Sequence, residues 1–140
     1  MDHKAEIPYG AYWSTPFARW QGAFSNLHAI QFAAFVTKAE LARRRIPTDA
    51  IDHGVMGTSV PQKQAFYGMP WLAGMAGLSN VGGPTIMQAC ATGARVLLAA
   101  AQEVESCAAN PRGGARINTL VGRRCWTNSP TGRSSRTNRV

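Results

Sequence analysis

The 140-residue sequence predicts an α/β domain in layers, built on a mixed sheet and followed by a disordered basic C-terminal tail. Three observations lead there. Strand-like and helix-like stretches alternate as far as Glu105. The strand candidates are apolar without polar alternation, as strands covered on both faces are. The charge pattern breaks abruptly at Ser106, which divides the chain into a folded part, 1–105, and a tail, 106–140. Hydrophobic residues make up 45% and charged residues 16%, so the chain as a whole is not disordered, and no apolar run is long enough to span a membrane.

Residues 6–17 are aromatic and punctuated by Pro8, Gly10 and Pro16, which predicts a short strand leading into a loop. Ser25 is the expected N-cap of a first helix over Leu27 to Arg45, a stretch without Gly or Pro. Its run Phe32-Ala33-Ala34-Phe35-Val36 predicts burial on more than one face. Arg43, Arg44 and Arg45 fall in the last turn, where positive charge suits the exposed carbonyls, and Pro47 stops the helix. A second strand is expected over Asp52 to Pro61, and a short helix with a loop over 62–78, whose Met and aromatic residues suit core packing or a dimer surface. Val81-Gly82-Gly83-Pro84 reads as a turn and Thr85 to Ala89 as a short strand. From Ala91 to Val104 strong helix formers dominate, so a strand ends and a helix begins at Cys90.

Of the net charge of +8, +7 belongs to the tail. All seven acidic residues precede Ser106, whereas seven of the 15 basic ones, Arg112 to Arg139, follow it. With few strong aliphatics, this stretch buries too little apolar surface to offset its ordering entropy. Two readings stand side by side: an arm for nucleic acid or another anionic surface, and a solvated, non-native terminus. The second is preferred, so nucleic acid is not the expected partner.

Three cysteines, Cys90, Cys107 and Cys125, without a C-x-x-C pair fit neither a disulfide framework nor a zinc cage. Reduced thiols and no metal are expected. The start, with Asp2, Lys4 and Glu6, lacks the basic end and apolar stretch of a signal peptide, which predicts a cytoplasmic protein.

Cys90 is the candidate catalytic residue. A cysteine at a strand-to-helix junction lies beside the unpaired amides of the first helical turn, which favour thiolate over thiol. Gly93 and Ala94 keep that turn slim, so backbone N–H groups could meet a developing oxyanion. The other reading is a buried structural thiol, and the residues alone leave both open.

Thr15-Pro16-Phe17-Ala18-Arg19-Trp20-Gln21-Gly22 resembles the N-terminal motif of the thiolases, Asp52-His53-Gly54-Val55-Met56-Gly57 looks like their second strand, and Gln88-Ala89-Cys90-Ala91-Thr92-Gly93 is similar to their nucleophile motif. The likeness covers residues 6 to 105 and looks closest to the acetyl-CoA acetyltransferases. It implies a partial thiolase-type N-terminal domain and an acyltransferase acting on acyl-CoA thioesters. Coenzyme A is then a substrate carrier rather than a resident cofactor, and a homo-oligomer is expected. By the resemblance, Cys90 would attack the thioester and hold an S-acyl intermediate.

Family members also use a His from a Gly-His-Pro-type motif and a second Cys in a Gly-rich C-terminal motif, and this sequence has neither. His3, His28 and His53 read as surface or packing histidines. Ser14 and Ala18 depart from the family's usual Arg and Gly. The resemblance therefore implies a fragment that is inactive alone for want of the C-terminal half. The alternatives are a non-catalytic interaction surface and the basic-tail binder.

Overall fold

In the computed structural model, residues 5–7, 9–19, 21–108 and 119–124 are described. Helix α1 (Ala29–Arg43) is followed by strand β1 (His53–Thr58), helix α2 (Gly68–Ala76), strand β2 (Thr85–Ile86), helix α3 (Thr92–Ala108) and strand β3 (Thr119–Arg124). The sheet order is β2-β1-β3, and both pairings are parallel. The expected mixed sheet is thus corrected among the described strands. Parallel pairing follows from helical crossovers, since a chain that leaves one strand end through a helix returns in the same direction.

β1 lies at the centre and is buried on both faces, as its apolar composition predicts. Met56 joins a cluster with Ile30, Ala34 and Leu41 of α1 and Met69 and Leu72 of α2. Val55, its neighbour in the strand, points the other way and packs with Val96 and Ala100 of α3. The result is three layers, with α1 and α2 on one side of the sheet and α3 on the other. Each large side chain buried in this way contributes roughly 1.5–3 kcal/mol.

α1 departs from expectation at both ends. It begins at Ala29, past Ser25, and its cap comes from a distant residue: the Ala29 N–H donates to Gln62 Oε1 at 2.6 Å. At the other end Arg45, at φ 54°, and Ile46 close the helix, with Arg45 N–H donating to Ala42 O at 3.1 Å and Ile46 N–H to Leu41 O at 2.9 Å. Only the stripe Ile30, Ala34, Thr37, Leu41 is buried, and Phe35 is 70% exposed. Burial on more than one face is therefore not found. The buried positions of α1 form a single line at i, i+4 and i+7 spacing.

The first expected strand is absent among the described residues of 6–17. Gly10 turns the chain at φ 77°, and the segment is fastened to the end of α1 instead of to the sheet. The Arg44 guanidinium donates to Gly10 O and lies 5.4 Å from the centre of the Trp13 ring. Glu40 accepts from Arg43 at 2.7 Å and from Arg44 at 3.1 Å. The arginine cluster thus anchors the N-terminal segment as well as ending the helix.

The hydrogen bond from Arg43 holds the Glu40 carboxyl below its ordinary value of 4.5; burial opposes it, and the hydrogen bond from Arg44 and the charge of both arginines add to the lowering. A carboxyl lowered on folding adds stability above the ordinary carboxylate range and loses it as pH falls through the lowered value. Glu40→Gln is expected to flatten the acid limb of stability, measured as urea midpoints from about pH 6 to about pH 3. Parallel curves for variant and parent would contradict this.

Thr119–Arg124, inside the stretch expected to be disordered, is a strand paired with the whole of β1, from His53↔Thr119 to Thr58↔Arg124. A parallel ladder satisfies the backbone of this segment, and Leu120 and Val121 suit it. The expectation is corrected for those six residues, and α3 carries the folded part on to Ala108. The remainder of the basic tail lies outside the described residues.

Candidate functional site

β2 pairs Thr85 with Met56 and Ile86 with Gly57, so the chain leaves the sheet at the carboxyl end of the parallel strands. Open parallel sheets place their ligands at that edge. From β2 the chain passes through Met87 and Gln88 into a 3₁₀ turn, Ala89–Ala91, and then directly into α3. Cys90 is the middle residue of the turn and is exposed. The sulfur therefore stands at a strand-to-helix junction, two residues ahead of the first residue of the helix.

Ala89 takes φ 44°, a left-handed conformation that a non-glycine residue adopts only under constraint. The constraint comes from Thr92, which is 2% exposed. Its Oγ1 accepts from the Gln88 N–H at 2.8 Å and donates to Ala89 O at 2.8 Å. Ala91 N–H donates to Gln88 O at 3.0 Å, closing the turn from inside. The sequence marks Cys90 through the helix that follows it. It does not mark the left-handed Ala89, and it marks Thr92 only faintly: a threonine two positions after a junction cysteine carries a hydroxyl that can bond backward.

No described histidine is arranged as a base for Cys90. His28 stands at the N-cap position of α1, its Nε2 bonded to Lys63 O at 3.0 Å, its Nδ1 buried without a partner, and its ring centroid 5.0 Å from that of Trp71. With Gln62 capping Ala29, it holds the loop after β1 against the start of α1. His53 opens β1 at the amino end, and its Nε2 is buried and unpartnered. Four strand positions separate it from Gly57, about 13 Å along the strand, at the end of the sheet away from Cys90. Cys107 lies in α3 near its far end, about 22 Å along the helix axis from Thr92. Cys125 and His3 fall outside the described residues.

A cavity of about 1190 Å³ is bordered by the N-terminal segment, α1, the end of β1 and one side of α3, with Trp13, Phe32, Met56 and Leu97 in its wall. It is apolar, and Cys90 is not part of it. Cys90 lies instead on an exposed turn. Among the described residues no group of three His, Cys, Asp or Glu side chains could hold a metal ion, and no helix is long and apolar enough to cross a membrane.

The sequence matches the family "Thiolase, N-terminal domain" over residues 11–134. Among solved structures, the chain is similar to the acetyl-CoA acetyltransferase of Bacillus anthracis, with a TM-score of 0.58 and 21% identity over 65% of this chain and 23% of that one. It is also similar to the acetyl-CoA acetyltransferase from Syntrophomonas wolfei, with a TM-score of 0.52 and 22% identity over 67% of this chain and 24% of the other. At such identities the likeness is one of fold. The chain spans about a quarter of the length of either acetyltransferase. No curated protein matches it.

Proposed function

The chain belongs to the thiolase family through its N-terminal domain, and we propose that it is the nucleophile-bearing part of an acyl-CoA acyltransferase, with Cys90 as the acyl acceptor. The observation that carries this reading is the exposed Cys90 in a 3₁₀ turn that opens on the left-handed Ala89, at the carboxyl end of a parallel sheet and immediately before α3. The first four N–H groups of a helix lack intrahelical partners and carry partial positive charge. They suit both a thiolate and the oxyanion of a tetrahedral adduct.

In the proposed step Cys90 Sγ attacks the thioester carbonyl of an acyl-CoA. The new S–C bond forms as the C–S bond to coenzyme A breaks, and the thiol proton of Cys90 ends on the departing coenzyme A. The acyl group is then carried by the protein as a thioester. Transfer to an α-carbanion of a second acyl-CoA gives a 3-oxoacyl-CoA, and the reverse path gives thiolytic cleavage. Both directions share the Cys90 step.

Incubation with acetyl-CoA is expected to add one acetyl group to the chain, located on Cys90 by peptide mass spectrometry and absent in Cys90→Ser. An unmodified wild-type chain, or acetyl groups spread equally over Cys107 and Cys125, would remove the proposal.

A further inference from the structure

The Thr92 hydroxyl does not act as a helix cap. A capping side chain bonds forward to the amides of the first helical turn, whereas Thr92 Oγ1 bonds backward to Gln88 N–H and Ala89 O, the residues that lead into Cys90. Its position beneath the turn is nine-tenths and more buried, while Gln88, Ala89, Cys90 and Ala91 above it are all exposed. An exposed four-residue turn with one residue at positive φ has many competing conformations, and solvent does not choose among them. One buried oxygen bonded to both Gln88 and Ala89 does.

We infer that Thr92 is a positioning residue for acyl transfer: its hydroxyl straps the Gln88–Ala91 turn into the conformation that presents Cys90 ahead of the first turn of α3. The inference rests on the reading of Cys90 as the acyl acceptor and adds the group that fixes its place. Both bonds of the Thr92 hydroxyl go to the backbone of the turn. Removing the hydroxyl leaves Gln88 N–H and Ala89 O without their shared partner on an exposed turn, so the expected cost falls on the geometry of the turn more than on the fold.

The test uses the whole 140-residue chain and a small electrophile, iodoacetamide, with alkylation followed site by site and Cys125 of the same molecule as the internal reference. Thr92→Val, which keeps the shape and loses both bonds, is expected to slow Cys90 about tenfold relative to Cys125. Thr92→Ser keeps the oxygen and is expected to react at the wild-type rate. Where Thr92→Val does not fold, the double variant Ala89→Gly/Thr92→Val replaces it, because glycine adopts the positive φ without strain; it is expected to restore the fold while Cys90 labelling stays slow. Wild-type or faster labelling of Cys90 in the valine variants, or a serine variant as slow as valine, overturns the inference. A chain that shows the expected Thr92 dependence with iodoacetamide but takes no acetyl from acetyl-CoA overturns the acyl-acceptor reading instead, so the two failures are distinguishable.

Discussion

Replacing Gly83 by alanine is expected to remove at least about 3 kcal/mol of folding stability. Gly83 takes φ 139°, and a Cβ placed on it would stand 1.8 Å from Gly54 O and 2.9 Å from the Gly54 carbonyl carbon. Neither atom can retreat cheaply. The Gly54 N–H donates to Gly82 O at 2.9 Å and the Met56 N–H to Pro84 O at 3.1 Å, so the turn and β1 are bonded on both sides of the point of contact. Relief would require breaking that pairing and shifting the strand at the centre of both apolar clusters. For a domain with about 5–15 kcal/mol to lose, this is a large share. Gly74, on the exposed side of α2, is the contrasting case, since nothing lies within 4 Å of its Cβ position. Gly74→Ala is expected to stabilise by about 0.5–1 kcal/mol through helix propensity. Urea unfolding of the three proteins would contradict the account if both alanines moved the midpoint in the same direction.

The alternation of apolar and helix-forming stretches makes most of the elements legible. β1 is visible because Val55 and Met56 are adjacent and both apolar between turn-forming residues, as in a short strand buried on both faces. α3 is visible because the residues after Gly93 are mostly strong helix formers. The features hidden from the sequence depend on contacts distant along it. Gln62 caps α1 from 33 residues away, and a local pattern offers Ser25 instead. Arg44 draws Gly10 and Trp13 to the end of α1, so the aromatic segment that reads as a strand never reaches the sheet. β3 is hidden because arginine-rich composition speaks for solvent, while ladder pairing needs only a partner edge. At the site, the residue type and the junction are both legible at Cys90. The sign of φ at Ala89 is not, because alanine carries no signal for a left-handed conformation.

Once acylated, Cys90 is expected to stay acylated, giving one coenzyme A released per chain and no steady state. Turnover in an acyltransferase needs a group to take the nucleophile's proton and return it, and such general acid–base help contributes roughly a hundred- to ten-thousandfold. Among the described residues His28 has its Nε2 committed to Lys63 O, and His53 is at the other end of β1 from the turn. In the proposed reaction, capture by Cys90 draws on the backbone amides of α3, which stabilise charge but move no proton. An external base should supply what is lacking: added imidazole is expected to raise the rate of Cys90 acetylation in proportion to its concentration, with no effect in Cys90→Ser. Sustained release of coenzyme A without added base would contradict the single-turnover prediction, and its loss in His28→Ala or His53→Ala would overturn the purely structural role of that histidine. A rate independent of imidazole would instead mean that proton removal does not limit capture.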